Sequence, residues 1–252
     1  MLLFSSMYYL FAMAVPPSSI TIEFVGNPAS GKSTIARELE SKLASQSLSV
    51  RNRTYAVTHR TESDFKRHLI MIGLAAMALV RHPIQSARIV RLLFRTDQQS
   101  WIDVCKLTLY CLYLHTISEK STSAAGIDIL DQGQFQALWS VLLTGTSDEN
   151  RKHIQEILAQ FPTFPHRIIV FVDVSGEESL SRLQERDSNR SRLERIAEKQ
   201  NQDAAELCDR VYSQVVDLAN EYSQKHRSVN QVTINSNELG VEQSVESILS
   251  EL

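Results

Sequence analysis

The chain has 252 residues, 43% of them hydrophobic and 22% charged, with a formal net charge of −3. That length holds one large α/β domain or two small ones and can bury a core without disulfide or metal staples. The near-neutral balance gives no electrostatic case for a nucleic-acid partner, and Cys105, Cys111 and Cys208 lack the number and spacing of a disulfide framework or zinc site, so they read as core thiols of a reducing cytosol.

Residues 1–15 are almost wholly apolar and carry no Lys or Arg. The run is too short to span a bilayer as a helix. Three readings stand for it: an extension that docks loosely or not at all, an anchor that touches a membrane surface, and a cleaved signal ending near Ala12-Met13-Ala14. The extension is taken as 1–19 and the folded domain as 20–252.

Ile20 to Val25 is a β-branched and aromatic run with the composition of a buried strand. Gly26-Asn27-Pro28-Ala29-Ser30-Gly31-Lys32-Ser33-Thr34 follows and matches the phosphate-binding pattern G-x-x-x-x-G-K-[ST]. A helix comes next, with Ile35, Leu39 and Leu43 four residues apart. Strand, glycine loop and helix form the setting in which such a loop presents backbone N–H groups to an anion. In that setting Lys32 adds a point charge, and the Ser33 hydroxyl can ligate Mg²⁺.

Further along, Ser49 to Thr58 reads as a second strand and His59 to Asp64 as a polar loop. Phe65 to Val80 is apolar all round over Leu69 to Val80, the pattern of a buried helix. His82-Pro83 breaks it. Helices follow at Ile84–Arg95 and Ser100–Glu119, with buried stripes at Ile89, Leu92 and Leu93, then at Leu107, Cys111, Leu112 and Leu114. This block, about 63–120, interrupts the alternation of strand and helix as a helical insertion. Gly126 to Asp131 is a short strand ending in an acid, and Gln134 to Leu143 and Glu149 to Phe161 are helices. Arg167 to Val174 is apolar on both faces, as a central parallel strand is. Helices at Glu177–Asp187 and Ala204–His226, a strand at Val229–Ile234 and a helix at Val241–Leu249 complete the chain. The alternation predicts a three-layer α/β fold, a mostly parallel five-stranded sheet with helices on both faces.

Two further groups carry chemistry. Asp131 stands at a strand end, where open α/β sheets bind ligands; it suits a metal-holding or proton-accepting acid better than the alternative, a helix N-cap or turn aspartate. Arg182, Arg186, Arg190, Arg192 and Arg195 form an arginine-dense stretch. Arginine's planar fork clamps phosphoryl oxygens, although Glu185, Asp187 and Glu194 would make the same residues an ordinary solvated face. The basic excess from Arg51 to Arg95 suits an anionic substrate, solvated helix faces or acidic lipid heads. His59, His68, His82, His115 and His153 have no ligand spacing and read as structural or exposed, and Phe135 and Trp139 as core.

On the loop Gly26–Thr34, on Asp131-Gln132-Gly133 after a strand, and on Phe171-Val172-Asp173-Val174 followed by Arg182 and Arg186, the chain resembles P-loop nucleoside and nucleotide kinases, most of all the thymidylate-kinase-like branch. It departs from that branch in having no acid within the loop and in having Gln132 where an arginine usually follows the aspartate. The resemblance implies a P-loop kinase-like fold with a lid at about 182–196, ATP phosphates on Lys32 and the loop, and Mg²⁺ on Ser33 and Asp131. It further implies lid arginines Arg182, Arg186 and Arg190 on the transferring phosphoryl group, and Asn235-Ser236-Asn237 near adenine. The reading that follows is an ATP- and Mg²⁺-dependent cytoplasmic phosphotransferase acting on a small-molecule acceptor such as a nucleoside or nucleotide. A homodimer and surface contact with a membrane through residues 1–15 are compatible with it. A partner-stimulated regulatory ATPase and a catalytically weak membrane-peripheral module are its rivals.

Overall fold

The computed structural model describes residues 19–58, 63–145, 150–185, 193 and 203–252. The readings made for residues 1–18, for His59 and for Arg186, Arg190, Arg192 and Arg195 lie outside these. In chain order the elements are β1 (Ser19–Gly26), α1 (Lys32–Ser45), β2 (Val50–Asn52), α2 (Arg53–Thr58), α3 (Asp64–Arg81), α4 (Pro83–Leu93), α5 (Trp101–Thr122), β3 (Gly126–Leu130), α6 (Gln134–Thr144), α7 (Asn150–Leu158), β4 (His166–Asp173), α8 (Gly176–Gln184), α9 (Ala204–Lys225), β5 (Val229–Asn235) and α10 (Val241–Leu249). The five strands form one sheet in the order β2-β3-β1-β4-β5, and every pairing is parallel.

Alternation along the strands builds two cores. Ile22 and Phe24 of β1, Ile127 and Ile129 of β3, and Ile168, Val170 and Val172 of β4 face α1 and α10, where Ile35, Leu39, Leu43, Val245 and Ile248 meet them. The intervening residues, Val25, Leu130, Ile169 and Phe171, face the larger core made by α5, α6, α9 and their neighbours. This second face also carries charge. Glu23 on β1 and Arg167 on β4 form a fully buried ion pair between adjacent strands. Phe135, Phe164 and Tyr222 stack around the guanidinium, with ring centroids at 4.6, 5.0 and 5.4 Å. The second Glu23 oxygen accepts from the Phe135 amide at 2.6 Å, so a strand carboxylate caps the first turn of α6. Nearer the sheet edge, Asp128 takes Arg51 Nε at 2.6 Å and Arg53 Nε at 2.8 Å.

Two sequence readings change. The second strand is three residues long, because the chain turns into α2 at Arg53, where the Asn52 side chain accepts from the Tyr55 amide at 3.3 Å. An edge strand with β3 as its one partner gains little from continuing. The larger change is α3. Of its apolar residues only Ala75 and Ala78 are buried, on the side that packs against α5, while Phe65, Leu69, Ile70, Ile72, Leu79 and Val80 are exposed. Uniform apolarity predicts burial only if neighbours surround the helix, and here they cover one side. Cys111 and Cys208 are core residues and Cys105 is exposed, on the solvent side of α5. The stripes read for α4 and α5 are buried, as are Phe135 and Trp139.

Candidate active site

β1 lies at the centre of the sheet. The order reverses at it, because the chain leaves β1 to build one side through β2 and β3 and returns to build the other through β4 and β5. A crevice opens outside the strand ends at such a reversal. The glycine loop runs into it from β1. Gly26 is needed because a Cβ there would stand 2.5 Å from the Val172 carbonyl oxygen, and Gly31 because its φ is +96°. α1 then starts with no side chain capping its first amides, the condition in which a helix N-terminus accepts an anion.

Three contacts from distant parts of the chain hold the loop in place. The Gly26 amide donates to Gln136 Oε1 at 3.2 Å, Asn27 Nδ2 donates to the Val174 carbonyl at 3.0 Å, and the Ser179 hydroxyl donates to the Pro28 carbonyl at 2.6 Å. Lys32 is buried, and its ammonium sits within the loop's curve. It donates to the carbonyls of Gly26 and Asn27 at 2.9 and 2.6 Å and to Ser30 Oγ at 3.1 Å.

Asp131, completely buried, faces this loop from the end of β3. Its Oδ2 accepts from Ser33 Oγ at 3.1 Å, and its Oδ1 accepts from Thr54 Oγ1 at 2.5 Å. The Gln132 amide reaches the same Thr54 hydroxyl at 3.4 Å. Ser33 and Asp131, paired from the sequence as metal-binding oxygens, are thus in direct contact. Two hard oxygen donors side by side suit Mg²⁺, which takes few protein ligands and keeps several waters. Among the described residues no cluster of three or more His, Cys, Asp or Glu side chains offers a different metal site.

A cavity of about 890 Å³ extends from the loop. Its floor is Pro28 to Thr34. Its far wall comes from Tyr55 on α2, Arg67, His68 and Met71 on α3, Lys106 and Tyr110 on α5, and Gln136 and Ser140 on α6. Arg37 and Lys106 are exposed cations at its margin, Arg67 also pairs with Asp64 at 3.1 Å, and among the described residues no Asp or Glu lines the cavity. Burial, reinforced by the nearby Tyr113, Asp131, Cys111 and Glu23, pushes the Tyr110 phenol well above its ordinary value, so it stays a neutral donor at physiological pH.

Arg182 is not among the lining residues. Its guanidinium is held by Glu178 at 2.8 Å and Asn237 Oδ1 at 2.8 Å, with Ser236 Oγ at 3.4 Å, so it braces the turn after β5. Sequence reasoning missed Thr54, Gln136, Tyr55, Lys106 and Tyr110, and set His68 aside as structural or exposed. No local signal marks Thr54 or Gln136, because their partners lie 77 and 110 residues away.

No protein-family model and no curated protein sequence matches the chain. Among solved structures it is similar to the deoxyadenosine kinase from M. mycoides in three states. With the products dCMP and a flexible dCDP bound, the identity is 13%, the TM-score 0.47, and the match covers 92% of this chain and 97% of that one. With dCTP bound, the values are 13%, 0.42, 92% and 97%. With dATP bound, they are 14%, 0.45, 92% and 98%.

Proposed function

We propose that this chain is an ATP- and Mg²⁺-dependent phosphotransferase whose acceptor is a small molecule, a nucleoside, nucleotide or similar metabolite. The observation that carries the reading is the meeting of the glycine loop, through Ser33, with the buried strand-end acid Asp131, at the mouth of a cavity large enough for an acceptor. Phosphoryl transfer is catalysed mainly by positioning and by stabilising charge, and these residues are suited to both. Lys32 and the loop amides would hold the donor's phosphates. Ser33 and Asp131 would hold Mg²⁺, which neutralises charge on the phosphate oxygens when bound. Thr54 fixes the Asp131 carboxylate, whether that carboxylate serves as metal holder or as proton acceptor. Arg186 and Arg190 would act on the transferring phosphoryl group as lid cations, as the resemblance implies, while Arg182 is tied to the turn Asn235–Asn237 that would adjoin adenine.

The far wall bears on the acceptor. Arg37, Arg67 and Lys106, with no acid among the described lining residues, favour a molecule that already carries negative charge. A nucleoside monophosphate, the acceptor implied by the thymidylate-kinase-like resemblance, has that charge. Incubation with ATP, Mg²⁺ and a panel of nucleosides, nucleoside monophosphates and sugar phosphates tests the reading. Phosphorylation is expected of a phosphate-bearing member. Lys32→Ala and Asp131→Asn should each lower kcat by about 10²–10³, with circular dichroism unchanged. If no member is phosphorylated and Lys32→Ala leaves ATP affinity unaltered, the reading fails.

A further inference from the structure

Ten of the thirteen large hydrophobic side chains exposed among the described residues lie between Phe65 and Ile102, on α3, α4 and the first turn of α5. Their arrangement is regular. Phe65, Leu69, Ile72, Ala76 and Leu79 recur at spacings of four and three, which puts them in one stripe along α3, opposite the side that packs on α5. Phe65 is 76% exposed, and Val80 beside the stripe is 82% exposed. On α4 the exposed face reads Ile84, Arg88 and Arg91, with Arg95 exposed just beyond its end, while Ile89, Leu92 and Leu93 point into the core. None of these three arginines has an acidic partner among the described residues. From Phe65 to Thr96 the chain contains six Lys or Arg and no Asp or Glu. Phe94 and Trp101, their rings 4.9 Å apart, form an exposed aromatic pair where α4 gives way to α5.

We propose that this face of the helical insertion is an interfacial binding surface for an anionic lipid membrane. Charge complementarity selects the occupant. A second copy docked across a two-fold axis would set one predominantly cationic face, with Asp97 its one acid between Phe65 and Ile102, against another. Residues 1–18 contain no charged side chain and would leave the arginines unanswered. A nucleic acid would answer the arginines and leave the α3 stripe in water. An anionic bilayer satisfies both: the apolar stripe and the aromatic pair enter the headgroup–acyl boundary, and the arginines meet lipid phosphates. The surface is placed on the membrane and not across it: no single described helix is long and apolar enough to span, and α3 with α4, which reach that length and apolarity only together, are bent by 116° at His82, as an interfacial pair would be.

The surface stands independently of phosphoryl transfer, and its test needs no nucleotide. The full-length protein is floated with phosphatidylcholine vesicles, with or without roughly one-third phosphatidylserine. Flotation is expected with the anionic vesicles only, weakening as salt is raised. Trp101 should move to bluer emission on binding, because Trp139 is already buried. Each basic residue near a charged bilayer contributes roughly a factor of five, so Arg88→Gln/Arg91→Gln/Arg95→Gln should cut partitioning on the order of 100-fold. Leu69→Ser/Ile72→Ser should abolish the blue shift while leaving the circular dichroism spectrum unaltered. Equal flotation on neutral vesicles, or flotation unchanged in both variants, overturns the proposal. So does a concentration-dependent dimer that Leu69→Ser/Ile72→Ser disperses, if the wild-type chain does not float.

Discussion

At the carboxyl ends of β1 and β3, polar side chains are buried and bonded: Asp131 to Ser33 and Thr54, Lys32 to three oxygens of its own loop, Gln136 to the Gly26 amide. Along α3, α4 and the turn after it the relation is inverted. Apolar side chains stand in solvent, and Arg88, Arg91 and Arg95 are exposed. The two regions adjoin, since Arg67, His68 and Met71 of α3 line the cavity that begins at the loop. The difference shows what each region is built against. The strand-end site is closed by its own chain and holds its geometry without help. The outer face of the insertion is left uncovered by the described residues. Buried polar groups persist only when paired, whereas an exposed apolar stripe costs little stability until water is offered an alternative.

Four variants sharpen this contrast, each read by urea unfolding. Arg167→Met should have the largest effect. It leaves Glu23 charged and buried beside a single amide donor, and about 3–5 kcal/mol of stability should be lost. The double variant Glu23→Gln/Arg167→Met keeps an acceptor for the Phe135 amide and removes the charge, so it should regain more than half of that loss. A cost below about 1 kcal/mol for the single change would mean that the pair is not a compensated buried charge. Thr54→Val comes next. It removes the hydroxyl donor to a buried carboxylate without changing volume much, and about 1.5–3 kcal/mol is expected. Leu69→Ser/Ile72→Ser should change stability by no more than about 0.5 kcal/mol per site, because both side chains are exposed in the folded chain. A loss of several kcal/mol there would show that the stripe is covered within the protein, and would erase the contrast.

Much of the strand-end site was legible in the chain itself. The run from Ile20 to Thr34 spells strand, turn and helix in adjacent residues, and each part is specified locally: β-branched residues for the strand, Gly26 and Gly31 where a side chain would collide or a positive φ is required, helix formers after Lys32. Asp131 was legible for a related reason, since a short apolar strand ending in an acid announces its own boundary. The charged pairs inside the sheet were not. Glu23 lies in a strand read from its apolar residues, and its partner Arg167 is 144 residues away. The arginine-rich stretch after β4 offered five similar residues. The one described, Arg182, braces the turn after β5 and does not border the cavity.

By itself the sequence determined the alternation of elements, the glycine loop between β1 and α1 and the acid opposite it, because these depend on periodicity, turn chemistry and short-range composition. Only the tertiary structure decided which side chains complete the site and which faces stay uncovered. Thr54 and Gln136 become site residues when parallel pairing brings β2, β3 and β1 side by side, and no local rule carries that information. The burial of α3 was undecided for the same reason. Hydrophobicity is a property of its residues, but burial depends on how many neighbours the fold supplies, and here α5 supplies one side.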